Sequence, residues 1–233
     1  MRKIKVYVRH SYYSPNTSIP NRKRPEWFDK KKVWENFLRV TDPKNCGIKV
    51  IYDTHFGDSS GSFFGEDVNI IKINCGTEAS SFLETLEIIK NDDNLPEDII
   101  YIIEDDYLHL PGWEDALMEG IDLGVSYISL YDHLDKYRDY PDLNSKIFVS
   151  KSSHWRTVPS TCNTYACKYS MLIDDFEIHR KYSIEHHEGV SSDNSKFLHL
   201  GNIGRILITP IPGYSTHCND QMSPTIDWEK YSI

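Results

Sequence analysis

The stretch Ile99-Ile100-Tyr101-Ile102-Ile103, followed at once by Glu104-Asp105-Asp106, constrains the fold more than any other part of the chain. A run of apolar and aromatic residues, mostly β-branched, predicts a strand buried on both faces, the environment of a parallel sheet covered by helices. Three carboxylates crowded at its end repel one another and resist burial unless a cation lies among them. Oxygen ligands of this kind suit a hard divalent ion, Mg2+ or Mn2+, rather than zinc. In an open α/β sheet ligands bind beyond the carboxyl ends of the strands, where these acids fall. A solvated acidic turn ahead of Pro111-Gly112 is the competing reading.

The flanking pattern supports the sheet. Residues 3–8 read as a first strand ending at Arg9-His10-Ser11, followed by a long polar loop with Pro15, Pro20 and Pro25. Pro25 opens a predicted helix over 26–40, with Val33, Trp34, Phe37 and Leu38 at helical spacing and Lys30, Lys31 and Lys32 on a solvated face. A second strand over 49–52 ends at Asp53, before a turn-rich loop over 57–62. A third strand spans 69–74, and Gly76-Thr77 leads into a helix whose core face carries Phe82, Leu83, Leu86 and Ile89. Strand, helix, strand, strand, helix, strand thus leads to the acids, an order that predicts an α/β fold with a mainly parallel central sheet and covering helices. Beyond them a helix starts at Pro111-Gly112, lined by Trp113, Ala116, Leu117, Gly120 and Ile121, and a strand covers 125–130. The second half is aromatic, polar and loop-rich. Its predicted strands are 146–149, 155–158, 164–168 and 205–209, with a helix over 170–182 and a polar tail without helical pattern.

Composition excludes several classes. At 233 residues the chain suits one domain with a full core, read here as a nucleotide-binding half (1–130) and an acceptor half with the tail (131–233). A net charge of −9 disfavours a nucleic-acid partner. No apolar run is long enough for a transmembrane segment. The start, Met1-Arg2-Lys3-Ile4-Lys5-Val6, lacks the apolar core of a signal peptide. The odd, scattered cysteines (Cys46, Cys75, Cys162, Cys167, Cys218) read as free thiols, so a cytoplasmic setting is expected, host cytoplasm for a viral chain. Neither a P-loop nor a G-x-S-x-G elbow is present.

Glu104-Asp105-Asp106, after an apolar strand and before Pro111-Gly112-Trp113, resembles the DXD motif of GT-A fold glycosyltransferases, in particular small viral and bacterial nucleotide-sugar transferases with tails like Pro212-Gly213-Tyr214-Ser215-Thr216-His217. The resemblance implies a GT-A-like (Rossmann-like) sheet and a nucleoside-diphosphate-sugar donor (UDP-, GDP- or dTDP-linked). It also implies a glycan or other hydroxyl acceptor, and Mn2+ or Mg2+ to offset charge on the departing diphosphate. By that resemblance Asp106 ligates the metal, Glu104 meets the ribose or a metal-bound water, and His217 supplies a further metal ligand, unless it is a plain loop histidine. Asp105 points to the opposite face yet can join from behind. Arg9, His10, Ser11 and Asp53 contact the nucleotide; for Asp53, capping a turn is the equal alternative. Asp193 is placed as the base of an inverting transfer, or else as a helix N-cap, with Glu188 second. Trp155, His187 and Glu188 are placed on the acceptor side, with His186 beside them; core packing is the alternative for Trp155, and a plain polar loop the alternative for the two histidines. Two alternatives stand: a nucleotidyltransferase, against which the glycine-free loop 11–24 counts, and a sugar- or nucleotide-binding module without turnover.

Overall fold

The computed structural model describes residues 2–13, 23–57, 63–185 and 187–232. The chain runs β1 (Ile4–Ser11), α1 (Lys30–Val40), β2 (Cys46–Asp53), β3 (Asn69–Ile73), α2 (Glu78–Lys90), β4 (Ile99–Glu104), β5 (Tyr107–His109) and α3 (Trp113–Asp122). It continues through β6 (Tyr127–Ile128), α4 (Asp135–Arg138), β7 (Ile147–Val149), β8 (His154–Thr157) and β9 (Tyr165–Lys168). After these come α5 (Tyr169–Asp174), α6 (Phe176–Ile184), α7 (Asp193–Asn202), β10 (Leu207–Ile211), β11 (Ser215–His217) and a 3-10 turn over Trp228–Tyr231. The order expected up to the acids is the order observed.

Among the described residues, nine strands form one sheet in the order β3-β2-β1-β4-β9-β6-β10-β8-β7. Its first four strands are all parallel; β9 then pairs antiparallel with both β4 and β6. Period-two alternation along β4 divides the core. Ile99, Tyr101 and Ile103 face α1 and α3 with Trp34, Phe37, Trp113 and Leu117, while Ile100 and Ile102 face Phe82, Leu86 and Phe197 from α2 and α7. Burial on both faces is why β4 reads as an unbroken apolar run.

Several details differ from expectation. Helix α1 starts at Lys30 rather than 26, because Asp29 Oδ1 accepts from the Lys32 amide at 2.9 Å and so caps the helix there. Leu38 is exposed, not core. The helix expected over 170–182 is two helices that meet at Asp175, whose carboxylate is held by Arg205 at 2.7 Å. Most consequentially, the tail is not wholly irregular: β11 pairs antiparallel with β5 to make a second, two-stranded sheet directly after the acids.

Candidate functional site

Because β1, β2 and β4 are parallel and in register, their carboxyl ends bring Arg9, His10, Ser11, Asp53 and Glu104 to one rim of the sheet, with Arg9 opposite Glu104 and Ser11 opposite Asp53. The acids turn off the end of β4, and their side chains diverge. Glu104 faces Arg9 at 3.3 Å, Asp105 points towards α1, and Asp106 towards β11.

Asp106 Oδ2 lies 2.9 Å from His217 Nε2 and accepts from Arg24 Nη2 at 2.5 Å. The β5–β11 pairing creates this meeting: Tyr107 stands opposite His217 in register, and the two rings stack with centroids 4.8 Å apart. Burial works to raise the Asp106 carboxyl, but the charges and hydrogen bonds of His217 and Arg24 outweigh it and hold the group well below the usual carboxylate range. Its other oxygen, Oδ1, is buried without a hydrogen-bond partner among the described residues. Glu104 behaves oppositely. Burial, with the like charges of Asp106 and Glu78, pushes it up to about 7 against the opposing pull of Arg9.

Asp105 is committed elsewhere. Its Oδ2 lies 2.6 Å from His10 Nδ1 and accepts from Lys30 Nζ at 2.8 Å and the Ser11 amide at 3.3 Å. Lys30 is therefore not on a solvated face as its sequence neighbours suggested. The His10 ring is packed among Tyr52, Phe63 and Phe64 at 4.9, 5.3 and 4.7 Å. Asp53 accepts from the backbone amides of His55, Cys75 and Gly76 at 3.1, 3.0 and 2.9 Å, so the turn-capping alternative describes its carboxylate.

A network that the residue pattern did not reveal lies behind Arg9. Glu78, in the first turn of α2, accepts from Arg9 Nη1 at 3.0 Å, Asn163 Nδ2 at 2.9 Å, and the amide and hydroxyl of Ser191 at 2.8 and 2.7 Å. These partners, Arg9 first, overcome the cost of burial and keep Glu78 ionised. Asn163 Oδ1 in turn accepts from Lys196 Nζ at 2.5 Å. Lys196 is 1 % exposed, and its ammonium lies over the rings of Phe82, Tyr165 and Phe197 at 4.5, 4.9 and 5.0 Å. Burial lowers it to about 8, against the raising influence of Asp193 and Glu78. An acid directly after the Thr77 cap was the one available signal for Glu78; Lys196 carries none, since nothing local marks a lysine for burial.

The remaining candidates are placed as follows. Asp193 is the first residue of α7 rather than its N-cap, which is Ser192, and its carboxylate accepts from the Asn194 amide at 2.6 Å. His187 and Glu188 are exposed in a tight turn closed by paired His187–Val190 backbone bonds. That turn packs on the start of α2, where Gly189 O accepts from the Ala79 amide at 2.8 Å. His186 lies outside the described residues. For Trp155 the core alternative holds and corrects its placement on the acceptor side: it is wholly buried, with its indole N–H on Ser150 Oγ and its ring against Gly120, so it presents no face to a sugar.

The donor set fits a divalent cation in part. An ionised carboxylate with one unpartnered buried oxygen beside an imidazole nitrogen is a borderline set suited to Mn2+. Among the described residues no cluster of three His, Cys, Asp or Glu groups could hold an ion by itself. Further positions would fall to phosphate oxygens and water, the usual arrangement for such ions.

No family model matches the chain, and no curated protein matches it. Solved structures do. CMP:2-keto-3-deoxy-manno-octonic acid synthetase complexed with CTP matches with a TM-score of 0.52 and 16% identity, over 91% of this chain and 92% of its own. The 4-diphosphocytidyl-2C-methyl-D-erythritol synthase of Anaerococcus prevotii DSM 20548 matches with a TM-score of 0.51 and 10% identity, over 96% and 94%. Likeness at this identity shows the shared α/β fold, along almost the whole length of each chain. No helix among the described residues is long and apolar enough to cross a membrane.

Proposed function

We propose that the protein is a metal-assisted transferase of a nucleotide-linked group, and that the group is a glycosyl unit passed from a nucleoside-diphosphate sugar to a hydroxyl acceptor. The meeting of Asp106 with His217 carries this reading: two side chains 111 residues apart lie 2.9 Å from each other at the carboxyl rim of the sheet, and one Asp106 oxygen is buried without a partner. Both are among the three residues, with Glu104, that the resemblance to GT-A transferases places about the metal. Bound there, Mn2+ or Mg2+ would supply a positive charge against the departing diphosphate.

The chain's own groups do the rest. Arg9, anchored by Glu78, sets the position of Glu104, whose carboxyl burial and the like charges of Asp106 and Glu78 push up, so that it can hold or release a proton. Asp193, at the start of α7 and coupled to the Lys196 charge, is the candidate to take the acceptor's proton. Arg24 holds Asp106 when no other cation does.

A second reading has its own support. Both structural neighbours are named for making cytidyl-linked products, one of them complexed with CTP, which favours nucleotidyl transfer on the same fold. Products separate the two. The protein is incubated with Mn2+ and each of UDP-, GDP- and dTDP-sugars plus sugar acceptors, and separately with each nucleoside triphosphate plus free sugars. Nucleoside diphosphate release that depends on acceptor, and is lost in Asp106→Asn, supports glycosyl transfer. Pyrophosphate release supports nucleotidyl transfer. Binding without either product leaves a non-catalytic module and refutes both.

A further inference from the structure

Tyr107 follows the acids directly, and neither reading above gives it a task. It is 1 % exposed, and its hydroxyl has no hydrogen-bond partner among the described residues. Buried hydroxyls are nearly always satisfied, so an orphaned one calls for an explanation. The ring itself is well accounted for. It stacks on His217 at 4.8 Å with planes 14° apart and meets Tyr131 edge-on at 5.5 Å.

A phenol hydroxyl can donate one hydrogen bond, and here nothing among the described residues receives it. The neighbouring Asp106 carries the complementary orphan, a buried carboxylate oxygen that can only accept. Donor and acceptor belong to consecutive residues, yet they do not bond to each other. An acceptor oxygen that is ionised calls for a cation, and a hydroxyl donor calls for an anionic oxygen. A divalent cation carrying a phosphate group presents both charges side by side.

We infer that Tyr107 is a ligand-binding residue whose hydroxyl donates to a phosphate oxygen of the nucleotide while Asp106 Oδ1 faces the cation. The inference rests on the nucleotide-transferase reading, and extends it to a residue that resemblance does not nominate. The stack on His217 fixes the phenol, so this hydrogen bond needs little further ordering of the side chain when the ligand arrives.

The test is Tyr107→Phe, which keeps the ring and its stacking and removes only the hydroxyl. Isothermal titration with UDP, GDP, dTDP and CDP, each in the presence of Mn2+, first identifies the nucleotide that binds wild type most tightly. The variant should bind that nucleotide roughly ten- to a hundredfold more weakly, the effect of losing one hydrogen bond to a charged group. Its affinity for Mn2+ alone, measured without nucleotide, should not change. Its melting temperature should equal or exceed that of wild type, because no bond within the protein is lost. Equal nucleotide affinity, or a lower melting temperature with unchanged affinity, overturns the inference and makes the hydroxyl merely structural. A matching loss in Mn2+ affinity also overturns it, since the hydroxyl would then act on the cation. If wild type binds no nucleotide under any metal condition, the transferase reading falls, and this one with it.

Discussion

Lys196 gives the sharpest test of the energetics behind the site. Its ammonium is buried beneath α7 against three aromatic rings and donates a hydrogen bond to Asn163 Oδ1. The fall of its pKa from 10.5 to about 8 means that the charged form withholds about 3 kcal/mol of stability at neutral pH. Lys196→Met keeps a long, unbranched side chain among the same rings and removes the charge. It also orphans Asn163 Oδ1, which costs about 1–2 kcal/mol. The variant should therefore be more stable than wild type by about 1–2 kcal/mol at pH 7.

The pH dependence carries the sign. Between pH 8 and 10.5 the unfolded chain holds the lysine proton and the folded chain does not, so wild-type stability rises with pH across that window. By pH 9.5 wild type gains about 2 kcal/mol, and the advantage of the methionine variant should vanish or reverse. Urea unfolding of both proteins at pH 7 and pH 9.5, read as differences so that shared titrations cancel, measures this directly. A methionine variant that is less stable by more than about 1 kcal/mol at pH 7 would refute the reasoning. In that case the ring faces stabilise the ammonium by more than burial costs it.

Three further outcomes follow from the geometry. Glu78→Ala leaves the buried Arg9 guanidinium facing Glu104 alone among the acids it pairs with in the described residues and should cost about 3–5 kcal/mol in urea unfolding; a loss below about 1 kcal/mol would remove Glu78 as the anchor. Gly213→Ala places a Cβ 2.8 Å from the Asp132 amide nitrogen and 3.0 Å from Leu130 O. It should cost about 1–3 kcal/mol and, by shifting β11, weaken Mn2+-dependent nucleotide binding in the same titration. Arg24→Gln frees Asp106 from a half-exposed guanidinium, so Mn2+ in the absence of nucleotide should bind roughly two- to fivefold more tightly by calorimetry; unchanged affinity would mean that the cation and Arg24 do not compete for Asp106.

How much of this was legible in the residues depends on the range of the interaction. The unbroken apolar run at 99–103, the helical spacing of Val33, Trp34 and Phe37, and the Gly76-Thr77 lead into α2 are local, and they determined the first six elements, the covered sheet and the position of the acids at its rim. Charge at a strand end is also local, so Glu104 and Asp106 stood out unaided. Partner choice was not local. Asp106 faces His217 because the tail adds β11 to β5, whereas Asp105, one residue earlier, turns the other way to His10 and Lys30. Trp155, Asp53 and Lys196 carry side chains that suit a binding site equally well by type. Only their packing decided that the first lies in the core, the second caps a turn and the third is buried beside Asn163. A side chain's chemistry is a property of the residue, but whether it meets water, a ligand or another charge is set by strand order, and strand order follows from burying both faces of one sheet at once.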